Sequence, residues 1–198
     1  MVTDIVEIDN LKGMDNLTKL QLDNNIITKI KGLETLKQLK WLDLSFNSIE
    51  VIEGLDECYQ ITDLSLYSNH IRSLSGLEAL KELNVLSVGK NRLSDLEHTV
   101  KYLMNLNNKL EVLKIAGNTF QARGEKEYHK YTIAHLKQLK YLDYELITST
   151  NRTEANEEHK EEMQDAENET DGDKADADAG VIDPELVDAK IGITVGIF

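Results

Sequence analysis

A chain of 198 residues, 40% of them apolar and with a formal net charge of −14, has material for one folded domain and an appendage. That charge argues against nucleic acid or an anionic membrane as the main partner, because both repel an acidic protein. There is no basic secretory start, no apolar run approaching the roughly 18 residues of a spanning helix, and only one cysteine, Cys58, so no intrachain disulfide; a reducing, cytoplasmic setting is expected.

The first residues carry half a repeat. Ile5, Ile8, Leu11 and Met14 hold the places that Ile27, Ile30, Leu33 and Leu36 hold 22 residues later, and Thr3 stands where an asparagine belongs. The chain thus begins midway through a repeat, which reads as a fragment or as an edge that another molecule covers.

From Leu17 one phrase recurs at Leu39, Ile61 and Leu83, at a spacing of 22 residues: LTKLQLDNNIITKI, LKWLDLSFNSIEVI, ITDLSLYSNHIRSL and LNVLSVGKNRLSDL. A fifth copy, LEVLKIAGNTF, starts at Leu110 after a five-residue insertion, and a fragment, LKYLDY, starts at Leu139. The Leu-x-Leu alternation, as in Leu20 and Leu22 or Leu42 and Leu44, predicts a short strand with one face buried, and stacked copies predict a parallel sheet. Asn25, Asn47, Asn69, Asn91 and Asn118 follow the strands and predict a buried structural ladder, since an amide both donates and accepts. Ile27 and Ile30 with their equivalents extend the core, Gly32, Gly54 and Gly76 permit a bend, and Leu33 and Leu36 with theirs pack a short helical turn on the convex side. Cys58 takes one of those leucine places, as a small buried hydrophobe.

Residues between and beside the strand leucines face the concave side of such a stack. The candidate protein-binding surface is therefore Trp41, Asp43, Phe46, Asp63, Tyr67, Val85, Val112, Tyr141 and Asp143. Its centre is aromatic with an acidic fringe, and exposed aromatics are the usual anchors of interfaces.

Beyond the repeats, EKEYHKYTIAHLKQLKYLDYELI predicts an amphipathic helix and a last strand, with Tyr128, Tyr131, Ile133, Leu136 and Leu139 turned inward to close the stack. The repeat domain reads as 1–147, its cap as about 121–147. Residues 148–180 have one large apolar side chain, Met163, and read as an acidic disordered linker or at most a loose solvated helix. DGDKADADAG lacks the glycine and glutamate placement of a calcium loop. Residues 181–198 form a short apolar segment around Pro184. The charge is concentrated here, with 15 Asp/Glu against 4 Lys/Arg in 151–198. Sequons at Asn16, Asn151 and Asn168 carry no meaning without a secretory route.

The phrase resembles the 22-residue leucine-rich repeats of the regulatory subunit of protein phosphatase 1 and of several axonemal proteins. The resemblance implies an α/β leucine-rich-repeat solenoid: a right-handed curved stack with a parallel concave sheet, short helical or 3-10 convex segments and a C-terminal helical cap. Tyr128, Tyr131, His135, Leu136, Tyr141, Leu142, Asp143 and Tyr144 further resemble the cap of the dynein regulatory complex subunit 3 family, the leucine-rich-repeat subunits of the nexin-dynein regulatory complex. That implies a non-enzymatic structural or regulatory subunit of the ciliary or flagellar axoneme, within the cytoskeleton, whose partners are other complex subunits or dynein. The alternatives are a leucine-rich-repeat light chain of an axonemal dynein, or a phosphatase-regulating protein whose partner is the phosphatase catalytic subunit. The family carries a long coiled coil after its repeats, and this chain stops at Phe198, so functions resting on that element are not carried over.

No phosphate-cradling glycine loop, metal-spaced Cys/His cluster or serine nucleophile motif is present, and His70, His98, His129, His135 and His159 are scattered. No enzyme, cofactor or metal is expected.

Overall fold

The computed structural model describes residues 4–106 and 108–160. Thr3, residues 161–180 of the expected linker with Met163, and the apolar segment 181–198 lie outside them.

The repeat phrase is too short on its apolar face to stand alone, and it is stable only when copies stack. Strands β1 (Lys19–Gln21), β2 (Trp41–Asp43), β3 (Asp63–Ser65), β4 (Val85–Ser87), β5 (Val112–Lys114) and β6 (Tyr141–Leu142) lie side by side and parallel, in chain order. Leu20, Leu42, Leu64, Leu86, Leu113 and Leu142 fall opposite one another across all five pairings. From Leu42 onward these leucines are fully buried, together with Ile27, Ile30, Ile49, Ile52, Ile71 and Leu74 from the convex side. Each such side chain contributes about 1.5–3 kcal/mol on burial. Cys58 is fully buried among them, and burial pushes its thiol up to about 11, out of reach of physiological ionisation.

The glycine bends follow from space as much as from conformation. Gly54 and Gly76 have φ of +69° and +70°, and a Cβ on either would stand 2.4 and 2.3 Å from the carbonyl oxygen of the repeat before, Ile30 and Ile52 respectively. The five-residue insertion is taken up on the convex side by helix α1 (Leu96–Leu106), which buries Val100, Leu103 and Leu106. Asp95 starts it by accepting the His98 amide at 2.9 Å.

The asparagines form a single file. Asn47 Oδ1 accepts the Ile27 amide at 2.9 Å while its Nδ2 donates to the Leu22 and Leu44 carbonyls at 2.9 and 3.0 Å, and Asn69 and Asn91 repeat this one and two turns on. Asn118 closes the file on Leu93 N, Val88 O and Ile115 O, and half-buried Asn25 opens it on Ile5 N.

At the far end a 3-10 turn (Thr119–Arg123) leads into α2 (Glu125–His135), and β6 folds back into β7 (Glu145–Leu146), the antiparallel last strand. Tyr128, Ile133, Leu136 and Leu139 are buried and Tyr131 partly so, which places the cap side chains where the pattern put them.

The expected boundary at 147 needs correction. Residues that read as the start of a disordered linker or a loose solvated helix form helix α3 (Ser149–Glu158), packed on α2. Its anchors are polar. Thr148 and Asn151 make a reciprocal cap, Arg152 donates to the carbonyls of Ile133, Leu136 and Leu139, Lys130 pairs with Glu158, and Ala155 is buried. Arg152 thereby satisfies the Ile133 carbonyl in the last turn of α2 and adds a donor to two carbonyls of the turn that follows it. Counting apolar side chains misses such a helix.

Candidate protein interface on the concave face

Alternation along each strand sends one residue to the core and its neighbours to the hollow side. The parallel register then lines these neighbours into rows: Lys19, Trp41, Asp63, Val85, Val112 and Tyr141 in one, Gln21, Asp43, Ser65, Ser87 and Lys114 in the next. Asp23, Ser45, Tyr67, Gly89 and Ala116 follow as a rim.

The first row divides in two. Trp41 and Asp63 are half-buried, but Val85, Val112 and Tyr141 are only 4–5% exposed and form an apolar cluster of their own, separate from the main core. Sequence reasoning counted all five as contact surface. Val85, Val112 and Tyr141 do lie in the concave row, yet they are spent on one another and offer little to a partner.

Two carboxylates also need reassignment. Asp43 is 6% exposed, accepting from the Ser45 amide and hydroxyl, and Ser45 bonds onward to the Ser65 hydroxyl at 2.6 Å. Burial raises its pKa from the ordinary value, with Ser45 pulling the other way. Asp143 does not belong to the open surface at all. Its Oδ1 accepts the Ile115 and Ala116 amides at 2.8 and 2.9 Å, and its Oδ2 accepts the Tyr128 hydroxyl at 3.0 Å and lies 3.4 Å from His129 Nε2. It stands in for the backbone carbonyls that β6 ceases to supply when the chain turns into β7.

What stays available is an aromatic strip over β2 and β3. Trp41 carries the Lys19 ammonium 4.0 Å from its ring centroid. Phe46, 47% exposed, meets Tyr67 edge-on at 5.6 Å, and Lys90 stands 5.4 Å above the Tyr67 ring. Gly89 makes room for that ring: a Cβ there would be 3.1 Å from two Tyr67 ring carbons.

The backbone holds a signal that the letters alone conceal. The residue before each ladder asparagine is left-handed: Asn24, Phe46, Ser68, Lys90 and Gly117 have φ of 54°, 54°, 56°, 49° and 78°. Asn and Gly suit that conformation, whereas Phe46 pays about 1–2 kcal/mol for it. Phe46 is thus a bulky apolar residue, exposed, at a place where it costs stability. Outliers of this kind cluster at functional sites.

Among the described residues no group of three His, Cys, Asp or Glu could hold a metal, and no helix is long and apolar enough to cross a membrane.

A family model described as leucine-rich repeat matches residues 33–169. Among solved structures, a chain of the SNF/U2A′ complex of Drosophila melanogaster is 27% identical with a TM-score of 0.65, over 76% of this chain and 87% of that one. An internalin, InlF, of Listeria monocytogenes is 24% identical with a TM-score of 0.57, over 71% of this chain and 38% of that one, a likeness of fold. No curated protein matches.

Proposed function

Because the chain belongs to the leucine-rich repeat family, whose fold is typically a non-enzymatic protein-interaction scaffold, we propose that it is a structural subunit of the ciliary or flagellar axoneme, acting within the nexin-dynein regulatory complex. The solenoid would dock on neighbouring subunits through Trp41, Phe46, Asp63 and Tyr67. The observation that carries the contact is Phe46, kept exposed and edge-on to Tyr67 at a backbone position that disfavours it.

Two further points support the reading. The cap residues Tyr128, Tyr131, Leu136 and Leu142 pack on the main core as a closing unit, in the pattern by which the chain resembles that complex's leucine-rich-repeat subunits. The structural neighbour from Drosophila is itself part of a protein complex, and protein partners are what such a concave strip fits.

Affinity capture of the tagged chain from ciliated and unciliated cells tests this directly. Co-purification of dynein regulatory complex subunits from ciliated cells alone is the expected result. Recovery of a phosphatase catalytic subunit, or of a dynein heavy chain without the regulatory complex, would replace the assignment with one of the two alternatives.

A further inference from the structure

A second feature lies away from the concave strip, in the cap. Between α2, the β6–β7 hairpin and α3 there is a pocket of about 400 Å³, walled by Ile133, Leu142, Leu146 and Ile147. Leu146 is 56% exposed, as is its neighbour Tyr144, so an apolar surface continues from the pocket to the outside. Volumes of this order admit one or two side chains of a partner, and the apolar wall is edged by His129, Lys130, Glu145, Asn151 and Glu154, so that both an apolar group and a charge of a ligand could be met.

The charge around it is mainly negative, with Glu145 and Glu154 against one lysine, Lys130. The exposed Glu145 and Glu154 line the pocket, and neither is in an ion pair among the described residues. Lys130, which also lines the pocket, pairs with Glu158, and the charge of Glu154 acts on it as well. With Lys130 shared between Glu158 and Glu154, the lining keeps an excess of negative charge. A metal does not fit, since no group of three His, Cys, Asp or Glu converges among the described residues, and phosphate-bearing ligands meet net repulsion.

We infer that this pocket is a second docking site, which takes a large apolar side chain flanked by a lysine or arginine from a segment of a partner protein. Burial of the apolar side chain supplies the affinity. The exposed carboxylates contribute less, because such pairs are screened by water, but they decide which flanking charge is accepted. The inference does not depend on the axonemal assignment or on Trp41.

The test is a proton–nitrogen NMR titration of the full chain with three probes: N-acetyl-Leu-Arg-amide, N-acetyl-Leu-Glu-amide and N-acetyl-Gly-Arg-amide. The Leu-Arg probe should shift the Ile133, Leu146 and Asn151 amides saturably. The Leu-Glu probe should bind about fivefold to tenfold more weakly, and the Gly-Arg probe should give no saturable shift. In the double variant Glu145→Gln, Glu154→Gln the two leucine probes should bind within about twofold of each other. Raising salt from about 0.1 M to about 1 M should produce the same levelling in the unaltered chain. Absence of saturable shifts, equal binding of Leu-Arg and Leu-Glu at low salt, or a preference that survives both treatments would overturn the site.

Discussion

The concave face has two halves built on one register, and they do opposite things. Over β2 and β3 the row holds Trp41 and Asp63, half-buried and facing outward; over β4 to β6 the same row holds Val85, Val112 and Tyr141, which close on one another. Position in a repeat fixes direction, but availability depends on whether the neighbours one strand away are able to cover the residue. Three apolar side chains in adjacent strands can shield each other, and the pairing itself is stabilising. A tryptophan flanked by Lys19 and Asp63 has neighbours of the wrong kind for that, and it stays open.

Both halves rest on the asparagine file, so the comparison is broken most severely by removing a rung. Asn69→Ala would orphan the buried Ile49 amide and leave the Leu44 and Leu66 carbonyls with one side-chain donor each, Asn47 and Asn91. With about 1–3 kcal/mol for the one buried group left unpaired and about 0.5–1.5 kcal/mol for each carbonyl bond lost, the expected loss is about 2 kcal/mol or more in denaturant unfolding. A loss under about 1 kcal/mol would mean water replaces the amide and the ladder is not a shared foundation.

The next pair separates the halves. Val112→Ala should cost about 1–2 kcal/mol of folding stability through lost apolar packing and leave partner capture unchanged. Trp41→Ala should do the reverse, lowering captured partner about tenfold or more with little change in the unfolding midpoint. Equal losses of capture from both variants would show that the closed half also touches the partner.

Much of this fold could be read from spacing. A buried leucine recurring every 22 residues with an asparagine behind each strand has one economical solution, the stacked parallel sheet. The cap was also legible, because Tyr128, Ile133, Leu136 and Leu139 keep an inward pattern. The site was less so. Val85, Val112 and Tyr141 have the same alternation as Trp41, and nothing in one strand's letters reports what the neighbouring strand's side chain will cover. Asp143 looked like part of an acidic fringe because its role arises from the reversal into β7, an event of backbone geometry. Helix α3 escaped for a third reason: Arg152 and a Thr148–Asn151 cap hold it, and these count as charge and polarity in any tally of composition.

A finer cut within the open half concerns the strain at Phe46. Phe46→Asn places a residue that tolerates the left-handed backbone, while giving up an edge-on contact with Tyr67 that is worth about 0.5–1.5 kcal/mol. The two effects oppose, and stability should remain within about 1 kcal/mol of the parent by thermal or chemical unfolding. Partner capture should nevertheless fall several-fold. A variant that is much less stable would make Phe46 a structural residue and remove the main reason for treating the strip as an interface.

The smallest effect reports whether the floor under that strip is dry. Burial is the leading influence on Asp43 and holds its pKa above the ordinary value, with the Ser45 hydroxyl and amide opposing. The folded chain therefore keeps this proton at a pH where the unfolded chain has released it, so the contribution of Asp43 to stability is most favourable below the unfolded value and declines as pH rises to the folded one. Asparagine offers Ser45 the same acceptor without titrating. The stability of the parent minus that of Asp43→Asn should fall as pH rises from about 4 and then level off. A difference that is flat across the range would mean that water reaches the carboxylate, and a difference that rises would mean that Ser45 outweighs burial; either result would move Asp43 from the closed floor to the open surface.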